Sequence, residues 1–131
     1  MNGEESAGSA GRGEGWVLLL QRGSADALYE AAAMTAAAAS LGIAVTLVWF
    51  DEALEGLVSG RLEESAEEEE ASAGRLLALS RDTGRVRFLA CSASMVRVPS
   101  RAERVRRRVD DVVGWPTVIG LIRAAEKAFV W

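Results

Sequence analysis

The chain of 131 residues contains no histidine and only one cysteine, Cys91. Without histidine, Ser-His-Asp and Cys-His nucleophile pairs are excluded, and the side chain that most often binds transition metals is missing. A lone cysteine cannot form an internal disulfide, and it cannot complete a tetrahedral zinc site by itself. We therefore expect neither a metal ion nor a cofactor, and a chain suited to the reducing cytoplasm.

Long apolar runs and an excess of positive charge are also absent. The longest apolar run, "IAVTLVWF" at 43–50, is much shorter than the roughly 20 residues of a membrane-spanning helix. The first residues lack the basic start and apolar stretch of a secretory signal. The formal net charge of −4 argues against sequence-independent nucleic-acid binding. These features predict a soluble, cytoplasmic protein that binds neither membranes nor nucleic acids.

The composition predicts one globular domain with a flexible tail. Half of the residues are hydrophobic, which suffices for a core without disulfides. Residues 1–15 consist mainly of Gly, Ser, Ala and Glu, so they cannot offset the entropy of ordering and should form a flexible tail. The domain should occupy residues 16–131.

Apolar segments with strand character alternate with segments of helical character. We predict strands at 16–20, 43–50, 86–90, 110–114 and 128–131, and helices at 25–41, 51–60, 72–84, 101–109 and 116–127. The run "EESAEEEE" at 63–70 predicts a frayed helix or a loop. This order predicts a three-layer α/β/α single domain with a mainly parallel five-stranded sheet. The segment 25–41 is apolar almost all round, which predicts a homo-oligomer interface.

Ligands of open parallel sheets bind beyond the carboxyl ends of the strands, so the segments that follow the first three strands are candidate sites. They read "QRGSAD", "FDEA" and "ACSAS". In the first, Gly23 and Ser24 form a turn that is either a helix cap or a cradle for an anion, although nucleotide-binding motifs are absent. In the third, Cys91 is followed by the small residues Ser92 and Ser94, which are candidate ligand-binding residues.

The role of Cys91 depends on its exposure. A helix N-terminus or a neighbouring cation lowers the pKa of a cysteine and makes it nucleophilic, whereas a free cysteine covered by apolar side chains is inert. An Arg-rich segment at 101–108 is either a solvated basic face or a cluster that favours the thiolate or holds an anion. The sequence leaves both alternatives open.

The segments "WVLLLQRGSADALYEAAAMTAAAASLGIAVTLVWFDEAL", "VRFLACSASMVRV" and "VDDVVGWPTVIGLIRAAEKAFVW" together resemble the DsrE/DsrF-like family of small sulfur-metabolism and sulfur-relay proteins. The resemblance covers most of residues 16–131, and "ACSAS" is its most specific part. It implies a five-stranded α/β domain assembled into oligomers, with Cys91 carrying a persulfide. A second, C-terminal cysteine used by some relay partners has no counterpart here, and the acidic run is outside the family pattern.

Two functions are therefore expected as alternatives. The first is a sulfur carrier, sulfurtransferase-like at most, in which Cys91 accepts sulfane sulfur from a donor protein and passes it to the thiol of an acceptor protein. The second is a non-catalytic oligomeric module that binds a small ligand or has a regulatory role, with Cys91 structural or redox-sensing.

Overall fold

The computed structural model describes residues 15–63 and 72–131. The strands are β1 (Trp16–Leu20), β2 (Val45–Trp49), β3 (Val86–Cys91), β4 (Asp111–Val113) and β5 (Lys127–Val130). The α-helices are α1 (Ala25–Ser40), α2 (Asp51–Ser59), α3 (Ala73–Asp82), α4 (Ser92–Met95), α5 (Ala102–Arg108) and α6 (Trp115–Ala124). Short 3-10 helices lie at Arg61–Glu63 and Pro99–Arg101.

All five strands form one parallel sheet in the order β4-β3-β2-β1-β5. The chain moves across the sheet in one direction from β1 to β4 and then returns over three strands to β5. Because crossovers between parallel strands are right-handed, helices that follow steps in one direction lie on one face, and the helix of the return step lies on the other. The domain is therefore a three-layer α/β/α structure with unequal outer layers.

Side chains alternate between the two faces of the sheet, and each face has its own core. Leu18, Leu47 and Phe88 point toward the layer that contains α1, α2, α3 and α5. Val17 and Val48 point the other way, where Val118 of α6 covers them. The continuous apolar pattern of the strands follows from this double coverage.

Helix α1 uses its small side chains for packing within the chain. The Ser24 Oγ caps the helix by accepting the Ala27 N–H at 3.2 Å. Its buried residues, which include Ala31 and Ala38, face the sheet and α3. A buried hydroxyl, that of Thr35, donates to the Ala31 carbonyl at 2.8 Å. The apolar character of α1 is thus explained by packing within one protomer, and the homo-oligomer stays a prediction that needs another surface.

The predicted fold class is confirmed, with element ends displaced by a few residues. Strand β3 includes Cys91 as its last residue, and α6 begins at Trp115 and ends at Ala124, three residues before the predicted end. The predicted tail, up to residue 14, and residues 64–70 of the acidic run lie outside the described residues. Among the described helices, none has the length and apolar character needed to cross a lipid bilayer.

Asp110 joins α3 to the sheet at the point where β4 begins. One carboxylate oxygen accepts the backbone N–H of Phe88 at 2.7 Å, and the other accepts an N–H of Arg81 at 2.7 Å. The Arg81 guanidinium also donates to the carbonyl of Arg108 and lies 4.3 Å from the centre of the Phe88 ring. One carboxylate therefore fixes β3, α3 and the turn before β4 together.

We expect Asp110→Ala to lower the free energy of unfolding by about 1–3 kcal/mol, because a partly buried N–H and a guanidinium lose their acceptor. Urea unfolding of the purified variant measures this change. Asp111→Ala is the matched control, since that carboxylate accepts the N–H of its neighbour Val112, and we expect a change below about 0.5 kcal/mol. Equal losses in the two variants would contradict the role of Asp110.

Candidate functional site

The carboxyl ends of four strands bring a small set of side chains to one edge of the sheet. Gly23 follows β1, Asp51 follows β2, Ser92 follows β3 and Trp115 follows β4. This edge is where open α/β sheets bind ligands, because the connections leave toward opposite faces there. We call Asp51, Ser92, Ser94, Arg97 and Trp115 the rim site.

Cys91 lies beneath the rim and does not form part of its surface. It is the last residue of β3 and the N-cap residue of the four-residue helix α4. Its side chain is on the face covered by α6, where it is 1% exposed and belongs to the apolar cluster of Val48, Phe50 and Val118. The expected position at the strand end is found, and the environment is that of a packed core residue.

Asp51 has the one positive φ outside glycine in the described part of the chain, +38°. Its carboxylate accepts the hydroxyl of Ser94 at 3.0 Å and a guanidinium N–H of Arg97 at 3.1 Å. The position at the start of α2 also suits a negative charge, because the helix dipole is positive there. Arg97 is largely exposed and Asp51 is about half exposed, so both side chains are accessible to a ligand.

Ser92 and Trp115 complete the rim on the side of α6. Ser92 is exposed, and its Oγ lies 3.6 Å from the place that a Cβ on Gly114 would take. Trp115 stacks on Phe50 with 5.2 Å between the ring centres and is 46% exposed. The rim site thus combines a hydroxyl, an ion pair and an accessible indole.

The predicted ligand-binding residues lie in two places: Ser92 and Ser94 are at the rim site, and Gly23 and Ser24 form the turn before α1. Ser94 is buried and holds Asp51, whereas Ser92 is exposed beside it. Gly23 is buried and donates its N–H to Glu52 Oε1 at 3.3 Å, while its carbonyl accepts an N–H of Arg61 at 2.9 Å. Because Gly23 and Ser24 already have partners within the chain, their contacts are those of a turn and a cap.

The Arg-rich segment lies along α2. Three arginines, which we call the arginine row, contact successive turns of that helix: Arg97 with Asp51, Arg101 with Glu55, and Arg104 with the carbonyl of Val58. The spacing is four and then three residues on both sides, as expected for two segments that meet along one helix face. The arginine that reaches the rim is Arg97, which lies outside the predicted cluster 101–108.

The sequence pointed to Ser92 and Ser94 as candidate ligand-binding residues, and it did not point to Asp51, Arg97 or Trp115, which the structure brings to the same rim. The segment "FDEA" did indicate that a carboxylate follows β2 at the rim. Arg97 carried no such signal, since its contact joins residues 46 positions apart.

The chain was also compared with known proteins. No family model matches it, and no curated protein matches it in sequence.

We expect Gly23→Ala to lower the free energy of unfolding by about 1–3 kcal/mol, because the added Cβ would overlap the backbone carbonyl of Glu52. Thermal or urea unfolding measures the loss. As a control, Gly120→Ala in α6 places its Cβ in open space within the described structure, and a gain of about 0.5–1 kcal/mol is expected. A Gly23→Ala variant as stable as the parent would show that this turn is not closely packed.

Proposed function

We propose that this protein is a non-catalytic, self-assembling module that binds a small charged molecule at the rim site. One contrast carries the proposal: the only thiol is 1% exposed among apolar side chains, while the Asp51–Arg97 pair beside it is open to solvent. With the thiol covered and no histidine in the chain, recognition is better supported than group transfer.

The chemistry of the rim site indicates the kind of ligand. A carboxylate or phosphate on the ligand competes with Asp51 for the guanidinium of Arg97, whose planar group holds such anions with two parallel hydrogen bonds. The exposed indole of Trp115 offers an apolar surface for the rest of the molecule. Because Ser94 keeps a hydrogen bond to Asp51, the carboxylate stays in place when Arg97 turns to the ligand.

Self-assembly is proposed through the outer surface of α6. Trp115 and Ile119 of that helix are about half exposed, and Val130 lies uncovered on the same face of the neighbouring sheet. Trp115 and Ile119 are neighbours on the helix at a spacing of four residues, and exposed apolar patches mark interaction sites in soluble proteins. A second copy seated there lies next to Trp115 and therefore next to the rim site, so that the ligand is bound between two subunits.

We expect Ile119→Lys to convert the assembled protein into a monomer, because a charge at a buried apolar contact is costly. Size-exclusion chromatography with light scattering measures the mass. Leu79→Lys is the matched control: Leu79 on α3 is 54% exposed and Ile119 is 53% exposed, but Leu79 lies on the other side of the sheet. A monomeric parent protein, or equal dissociation of both variants, would contradict assembly through α6.

The second candidate is the sulfur carrier of the DsrE/DsrF-like type. It is favoured by the position of Cys91 at the carboxyl end of β3, directly before the exposed Ser92. The Cys91 thiolate would attack the outer sulfur of a donor persulfide, form a new S–S bond and release the donor thiolate. An acceptor thiolate would then remove the same sulfur and regenerate Cys91. The reaction requires Val118 and its neighbours on α6 to move away from the thiol.

The first candidate predicts that Cys91 gains no sulfur from polysulfide while the protein is folded, and gains one sulfur atom after unfolding in guanidinium. Intact-mass spectrometry of both samples measures the adduct. Cys91→Ser should show no adduct in either sample and should assemble like the parent. A rapid Cys91-dependent adduct on the folded protein would establish the sulfur carrier instead.

A further inference from the structure

A pocket of about 290 Å³ lies between α2 and α5, lined by Val58, Arg104, Arg107 and Arg108. We call it the arginine pocket, and we propose that it is a second binding site, which takes a compact molecule carrying two or more phosphate groups. The inference does not depend on the proposed function, because the pocket is at the opposite end of α2 from Asp51, about 10 Å away at 1.5 Å per residue.

The three arginines share one face of α5. Arg107 and Arg108 follow Arg104 at three and four residues, a spacing that places side chains side by side on a helix. Like charges at this spacing repel each other weakly, and an anion between them would offset that repulsion. The pocket is the space that such an anion would occupy.

Two of these arginines have contacts with other described residues that hold their side chains beside the pocket and leave it open. Arg104 donates to the carbonyl of Val58 at 2.5 Å, which fixes one guanidinium against the end of α2. Arg107 lies 3.4 Å from Glu103 in a solvent-exposed pair. Exposed pairs of this kind contribute little energy, so a bound phosphate can replace Glu103 as the partner of Arg107.

A helix dipole alone does not account for the arrangement. Basic residues in the last turn of a helix are favourable in general, and Arg106 serves that purpose as well as its neighbours do. Arg106 lies two residues from both Arg104 and Arg108 and does not line the pocket. The three arginines that line the pocket therefore differ from Arg106 in the face of α5 on which they lie.

The size and the donors of the pocket define the ligand class. Its volume is just below the range of about 300–1,000 Å³ that is typical of small-molecule sites, which matches a compact ligand. One guanidinium group binds a phosphate through two parallel hydrogen bonds, and it stays charged at all physiological pH values. Three such groups around one space match a di- or triphosphate group.

The test is calorimetric titration of the whole 131-residue chain with inorganic triphosphate. We expect one site per chain in the parent. The double variant R107Q/R108Q should bind about tenfold more weakly or worse, since two charge-assisted contacts are lost. The single variant R106Q, with a charge removed from the same turn of α5, should bind like the parent. The double variant R107K/R108K keeps the charge but loses the paired hydrogen bonds. Its affinity should lie between that of the parent and that of R107Q/R108Q.

Four outcomes would overturn the proposal. They are no heat of binding with millimolar triphosphate, an equal loss of affinity in R106Q, unchanged affinity in R107Q/R108Q, and tighter binding of a hexaglutamate peptide than of triphosphate. The last would assign the pocket to acidic peptides. The melting temperature of each variant without triphosphate shows whether it is folded. If R107Q/R108Q does not fold, the comparison of R107K/R108K with the parent still tests the pocket.

Discussion

The contacts of the arginine row with α2 connect the two proposed binding sites, the rim site and the arginine pocket. Each exposed ion pair of this kind contributes about 0.2–1 kcal/mol, so the row matters more for position than for stability. It aligns the segment from α4 to α5 with successive turns of α2. The rim site lies at the first contact of the row and the arginine pocket at the last, so each proposed ligand would contact a side chain that joins the same two segments.

The long crossover from β4 to β5 determines the packing on the other face of the sheet. Since only this crossover runs in the reverse direction, α6 lies apart from the other crossover helices of the described chain. It covers Cys91 and Val48 with its inner face, while Trp115, which stacks on Phe50 of the same cluster, and Ile119 remain about half exposed. The burial of the thiol and the exposure of an apolar surface therefore have one topological cause.

The fold was largely predictable from the sequence, and the site only in part. Apolar runs and the alternation of strand and helix patterns predicted the five strands, and the same reasoning placed Cys91, Ser92 and Ser94 at a strand end. Asp51 illustrates what local pattern does not contain: its left-handed backbone and its partners Ser94 and Arg97, 43 and 46 residues away, arise only when β2 and β3 pair. The arginine pocket likewise could not be predicted from local sequence, because it forms only when α2 and α5 lie side by side.

Local sequence determined the element order, the parallel sheet and the residues at its carboxyl edge, since hydrophobic period and turn chemistry act over a few residues. Alternation along β3 also determined that Cys91 and Leu89 share a face. Which helix covers that face was decided by the strand order, a property of the whole chain. The thiol is consequently buried under α6 while Asp51, at the end of the adjacent strand, remains in contact with solvent.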